Sequence, residues 1–396
     1  MKIEGNYSLD IKLGEKDLTI TPGSFTKLDI VEYLDKPLPM FNITFIDPTG
    51  AFTNVVPLDG TTGKLTFRFN SSDGNEDQFK LMTFKIYRRF PIVYTDMGNS
   101  LTLTGMLDIP NVMAPQYQRG WVSIGLAGII QDIAADMELR ADVGTGIGEP
   151  LTIIQPRWTN LMFLRYLANR VGTEAASGVF WFVKNIAGTP GNTLVFKTIY
   201  EFLKRKPKLY FKEGKDYAKD GKTIPIFNTE AIDNYETLGV FGIGSANYAY
   251  FDYYTGEVVE DQIKLEETTF KRLCTNFAYD DKLKVEGLGE FRLGRTTAFM
   301  KDWKPAVAGR FAKTINSLVK RWITVPGITN INCGDVVHID PTLGATKMGT
   351  EQYTGDWLVE RVIHHFAAMY GCKILLTRPG VDTLVPTTLA KAGLGQ

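Results

Sequence analysis

The chain has 396 residues, 44% of them hydrophobic and 22% charged, which excludes compositional disorder and leaves room for about two to four domains with sizeable cores. Lysine plus arginine equals aspartate plus glutamate at 44 each, so no global field draws the protein onto nucleic acid or an anionic membrane. Three widely spaced cysteines, Cys274, Cys333 and Cys372, make neither a disulfide framework nor a C-x-x-C metal site, and no apolar run of about 18 residues or signal-peptide core occurs. A soluble protein made in a reducing cytoplasm is expected.

Through the first hundred residues apolar and polar side chains alternate at a period of two, the pattern of half-buried strands. Phe41, Ile43 and Phe45 share a face; Leu65, Phe67 and Phe69 repeat it; Leu101, Leu103 and Leu107 do so again after the turn at Met97, Gly98 and Asn99. The stretch Phe79 to Tyr94 is long, with Phe84 and Ile86 inward in its first half and Pro91 closing or bending it. Strands of this kind with Gly and Pro turns predict a small barrel or sandwich.

The period then changes. Leu126, Ile129, Ile130, Ile133, Ala134 and Met137 fall at spacings of three and four and predict an amphipathic helix. A Gly-rich loop follows, Gly144 to Gly148. A second helix starts after Thr159 as N-cap, carries Leu161, Leu164, Leu167, Ala168 and Val171 on one face and stops at Gly172. Strands at Val179 to Val183 and Leu194 to Lys197 complete an α+β domain.

From Lys204 to Lys222 eight residues are basic and three acidic, a solvated connector or a phosphate-gripping run; scarce aromatics and overall neutrality favour the connector. Tyr248, Tyr250, Phe251, Tyr253 and Tyr254 form either an interfacial patch or amphipathic strands. Glu257, Glu260, Asp261, Glu266 and Glu267 read as a solvated face or a partner contact. After Pro305, Val307, Phe311, Ile315, Leu318, Val319 and Trp322 lie on one helical face, and that helix is expected to run into a strand at Ile323 to Val325. Strands follow at Val336 to Ile339, Trp357 to Phe366 and Lys373 to Thr377, with a mobile tail after Pro379. A strand, a polar loop, a long strand and a returning strand occur at Lys64 to Leu107 and again at Asp335 to Thr377, which predicts two similar β-domains.

Catalytic signatures are missing. Gly144, Gly146 and Gly148 imitate half a dinucleotide fingerprint, but they follow a helix where the fingerprint needs a strand, so a plain loop is expected. No phosphate loop, H-E-x-x-H or G-x-S-x-G occurs, and no carboxylate pair stands out for glycoside cleavage. Adjacent His364 and His365 on a strand point to opposite faces, one packed or hydrogen-bonded and one in solvent, so neither a metal nor any other cofactor is expected.

From Arg310 onward the order is a helix, a strand ending in Val325, Pro326 and Gly327, and Cys333, Gly334, Asp335 and Val336 opening the next strand. Gly355, Asp356, Trp357, Leu358 and Val359 then begin a long strand through Val362, Ile363 and His364, and Tyr370 precedes a returning strand. This order resembles the C-terminal signature of phage baseplate central hub proteins, the family that includes late control protein D and the N-terminal part of VgrG. Trp158, Phe163, Leu164, Leu167, Val171, Gly172, Phe180, Trp181 and Phe182 fit that family's central helix and aromatic strand. The pattern covers Leu65 to Leu107, Ser123 to Thr198 and Arg310 to Arg378, and its motif positions, expected to be structural, are Trp158, Leu164, Gly172, Gly334, Asp335, Trp357, Val359 and His364.

The resemblance implies an α+β, mainly β chain: a tube-type β-barrel domain at 1–110, an α+β domain at 111–204, a second tube-type barrel at 205–235 and 307–380, an inserted mixed domain at 236–306 and a tail at 381–396. It implies a non-enzymatic homotrimer in the virion baseplate, assembled in the host cytoplasm, whose six similar domains form a pseudo-hexameric ring. Its partners would be the tail tube protein or a tube initiator, a central spike on a separate chain and other baseplate proteins, with DNA passing non-specifically through a polar or acidic lumen. The rival readings are a tail-associated cell-wall hydrolase and a β-rich receptor-binding protein that recognises glycans through its tyrosines.

Overall fold

The computed structural model describes residues 2–4, 7–13, 16–17, 25–47, 63–71, 79–90, 92–96, 98–114, 118–145, 150–170, 178–213, 223–233, 246–252, 256–263, 267–274, 276–277, 303–340 and 354–381. The chain is α+β and mainly β. The six principal strands of its first part are β1 (Tyr7–Leu13), β2 (Phe25–Tyr33), β3 (Met40–Asp47), β4 (Lys64–Ser71), β5 (Lys80–Arg89) and β6 (Gly98–Leu107). Alternation buries one face of each: Phe41, Phe67 and Phe84 meet in the core with ring centroids 5.2 to 5.6 Å apart. The long stretch Phe79 to Tyr94 is two strands, β5 and Val93–Thr95; Pro91 between them lies outside the described residues.

An α+β layer follows: β7 (Arg119–Ile124), α1 (Leu126–Asp136), β8 (Arg140–Val143), β9 (Leu151–Gln155), α2 (Asn160–Arg170), β10 (Val179–Asn185), β11 (Asn192–Thr198) and α3 (Ile199–Leu203). Beyond the two expected strands, β8 pairs parallel with β11, and β7 pairs with β9. The α1 stripe is buried as its spacing requires, and the Thr159 hydroxyl caps α2 by accepting the Met162 N–H at 3.2 Å. Val171, Gly172, Gly146 and Gly148 lie outside the described residues.

The remaining principal elements are β12 (Leu209–Glu213), β13 (Thr223–Ile226), β14 (Asn228–Asp233), a hairpin of β15 (Ala246–Asp252) and β16 (Glu257–Ile263), α4 (Glu267–Lys271), α5 (Trp303–Asn316), β17 (Val319–Pro326), β18 (Val336–Asp340), β19 (Gly355–Phe366) and β20 (Tyr370–Arg378). Two expectations need correction. The lysine-rich span is more than a connector, because Phe211 on β12 is fully buried and β12 joins the sheet beside β18. The last helix stops at Asn316; Val319 and Trp322 belong to β17, where burial alternates along the strand.

The strands repeat one plan. In the first part the hydrogen-bonded order is β1-β4-β5-β6-β3-β2; in the second it is β12-β18-β19-β20-β17-β14. In chain order both read 1-4-5-6-3-2. Register matches as well. Both long strands carry a bulge against the returning strand, between Ile86 and Arg88 in β5 and between Val359 and Arg361 in β19. Counted from those bulges, the row Lys64, Lys85, Met106, Met40, Val31 across five strands corresponds to Val336, Leu358, Thr377, Lys320, Ile232. Ile86 N–H donates to the Gly63 carbonyl at 2.9 Å, and Val359 N–H to that of Asp335 at 2.9 Å. The units differ in their first strand, since β1 runs antiparallel to β4 and β12 parallel to β18. Among the described residues a single ladder, β2 on β19, fuses both units into one sheet.

Gly334 fixes the turn into β18. Its φ is +80°, and a Cβ there would stand 2.6 Å from the Phe202 ring of α3. Gly191 has the same φ with open space around it. Gly334→Ala should therefore lose the left-handed backbone cost of about 1–2 kcal/mol plus a packing cost of about 1–3 kcal/mol, and Gly191→Ala the first alone; urea denaturation of the two variants checks the difference.

Candidate functional site

The seam between the units is built from strands whose inward faces carry charge in phase with apolar residues. On β2 the inward series is Leu28, Ile30 and Glu32; on β5 it is Lys80, Met82, Phe84 and Ile86; on β19 beyond the bulge it is Val362, His364 and Phe366. Curvature of the sheet brings Glu32, Lys80 and His364 together with essentially no solvent exposure. Lys80 Nζ donates to Glu32 Oε1 and, at 3.2 Å, to the Ile331 carbonyl of the second unit. His364 Nε2 lies 3.4 Å from Lys80 Nζ and 3.2 Å from Glu32 Oε1.

Protonation follows from the partners. Tyr370 donates its hydroxyl proton to the Ile328 carbonyl at 3.0 Å, so it accepts from His364 Nδ1–H at 2.8 Å. That tautomer leaves Nε2 as a lone pair facing the Lys80 ammonium. Burial and then the Lys80 charge hold His364 down at about 4, against its ordinary 6.5. Burial pushes Glu32 up, but the Lys80 charge beside the carboxylate works against it, and the carboxyl is held at about 2. At neutral pH the cluster is thus a Glu32–Lys80 ion pair beside a neutral imidazole.

Aromatic rings close the seam. Phe69 of the first unit packs on His364 at 5.3 Å and on Phe366 at 5.0 Å, and Phe366 stacks on Tyr370 at 4.4 Å. On the rim, His365 and Asp29 pair at 2.6 Å. A buried cluster without a solvent path cannot take a substrate; what it can do is fix the pairing of two sheets. Desolvation offsets much of the Coulombic gain, but a one-residue slip of β2 would turn Glu32 out of the seam, so the pair specifies register more than it adds stability.

The motif residues read from the sequence separate into three places. Gly334, Asp335 and Val359 come together: Gly334 N–H donates to the Val359 carbonyl and Val359 N–H to that of Asp335, both at 2.9 Å, while the Asp335 carboxylate accepts from Asn332 N–H and Lys208, each at 3.0 Å. Trp357 is buried beneath Arg378, whose guanidinium lies 4.1 Å from the ring. Trp158 and Leu164 belong to the α+β layer, with Trp158 edge-on to Tyr166 at 5.3 Å and Leu164 in the core. His364 alone reaches the seam, and Gly172 lies outside the described residues. Sequence reasoning missed Glu32 and Lys80, although each is a charge in phase with an apolar face. Among the described residues no group of three or more His, Cys, Asp or Glu is arranged for a metal ion, and no helix is long and apolar enough to cross a membrane.

No family model matches the sequence, and no curated protein matches it. Among solved structures, the 43 kDa tail protein of prophage MuSo2 from Shewanella oneidensis aligns with a TM-score of 0.57 at 13% identity, over 94% of this chain and 98% of that one. The tail protein from Neisseria meningitidis MC58 aligns at 0.55 and 13% identity, over 95% and 98%. The chain shares its fold with these tail proteins along nearly its whole length.

Two measurements test the seam. Both depressed groups bind protons more readily in the unfolded chain, so stability present at neutral pH falls as pH drops from 6.5 toward 4 through His364 and from 4.5 toward 2 through Glu32. His364→Gln should flatten the first decline and spare the second, as read from urea midpoints across pH. Lys80→Met leaves the Glu32 carboxylate buried and unpaired and should cost about 3–5 kcal/mol, whereas adding Glu32→Gln recovers part of the loss.

Proposed function

We propose that this chain is the central hub of a phage tail baseplate, a non-enzymatic homotrimer joining the tail tube to a central spike. The observation that supports the reading best is the duplication: one polypeptide holds two units with the same strand order and register, joined edge to edge, within a fold shared with phage tail proteins. Three chains would then present six similar units on one side, matching a six-fold tail tube protein or tube initiator. Elements present once per chain, the α+β layer and the segment between β14 and β17, would carry the three-fold side that meets the spike and other baseplate proteins.

Such a ring would line the path of DNA without reading its sequence, and the equal counts of basic and acidic residues suit a lumen that does not retain a polyanion. The site of action would be the virion tail, after assembly in the host cytoplasm. The seam supports a mechanical role, because the Glu32–Lys80–His364 cluster is shut away from solvent and ties one unit to the other. Native mass measurement of the full chain, alone and with its spike, is expected to give a trimer; a compact dimer in both samples would sink the proposal.

A further inference from the structure

The junction inside the chain carries a prediction about its outer edges. Strand β2 is the last of the first unit's order, and its free side is taken by the second half of β19. Val31 stands opposite Ile363 in that ladder, with Glu32 opposite Val362 and Asp29 opposite His365. The second unit has the strand equivalent to β2, namely β14, and the first has the strand equivalent to β19, namely β5. Among the described residues β14 pairs only with β17, and beyond the Ile86 N–H, which bonds the Gly63 carbonyl, nothing pairs with β5 on the side of β4. Among the described residues, both edges are therefore the unfilled halves of the contact that β2 and β19 already make.

Their surfaces fit this use. Phe227 and Ile232 at β14 are 52% and 38% exposed, and Tyr87 at the end of β5 is 44% exposed. Phe90 prolongs the line of β5 by donating its N–H to the Thr102 carbonyl at 3.0 Å. Charge is complementary, since the exposed Arg88 stands on one edge and the exposed Glu230 on the other. The matched rows fix the register: Ile363 lies five residues beyond Leu358, as Phe90 lies five beyond Lys85, and Ile232 is the counterpart of Val31.

From this equivalence we infer that β14 of one chain adds to the Tyr87–Phe90 edge of a second copy, antiparallel, with Ile232 opposite Phe90 and Asp233 opposite Arg89. The contact uses different surfaces on its two sides, so it is head-to-tail and not a two-fold dimer, and with the rotation of a three-fold axis it closes as a ring. It rests on the ring reading above and adds to it the strands and register that would close the ring.

Cross-linking with a short bismaleimide tests it, because the native cysteines Cys274, Cys333 and Cys372 are buried and the unsubstituted chain serves as blank. A Phe90→Cys chain mixed with an Ile232→Cys chain is expected to give covalent dimers, while neither alone does. Self-linking of either chain alone, or no linking in the mixture of folded chains, overturns the inference. If native mass is nonetheless a trimer, only the junction has failed; a compact dimer removes the ring as well.

Discussion

Everything in this molecule depends on one ladder, β2 against β19, with a lysine, a glutamate and a histidine buried behind it. A sheet edge is normally exposed backbone that will pair with whatever strand arrives. Here the edge of one unit is filled by the other, and the filling is made specific by charge: Lys80 reaches both Glu32 on its own unit and the Ile331 carbonyl across the seam. A wrong register would strand at least one of these groups without a partner in an apolar interior, which costs more than the correct pairing gains. The two units thereby share packed side chains across the seam, with Phe69 of the first set among the rings of the second.

Much of this was legible in the sequence where a period stayed clean. The alternation at Phe41, Ile43 and Phe45 and at Leu65, Phe67 and Phe69 gave strands, and the helical spacing from Leu126 to Ala134 gave α1. The repeat of strand, loop, long strand and return was visible as an arrangement. Its full extent was not, because the matched rows pair unlike residues, such as Met106 with Thr377 and Met40 with Lys320. What the two units conserve is backbone order and bulge position, which leave little trace in side-chain identity.

The misreadings have physical causes. Val319 and Trp322 fit a helical face as well as an alternating strand, and Asn316 with Ser317 interrupts the helix before them. The lysines of 204–222 hid β12, whose buried contribution to the core is Phe211. Glu32 and Lys80 escaped notice because charge on a strand is ordinarily read as the solvent side; their phase with Ile30 and Met82 was the contrary sign. His364 was correctly placed on the face opposite His365, but its partners come from distant stretches of chain and leave no local pattern.

The bulge at Glu360 reaches further than local geometry. Before it the inward side chains of β19 include Trp357 and Val359, odd in number; after it they are Val362, His364 and Phe366, even in number. The extra residue is itself anchored, its carbonyl accepting Leu34 N–H at 2.8 Å and its carboxylate meeting Lys320 at 2.8 Å. One strand thus serves two interiors by changing parity between them. Drift in this family of shapes is free to lengthen loops by any amount, but along this strand a single-codon insertion or deletion would turn His364 outward and His365 inward, so only changes by twos leave both interiors furnished.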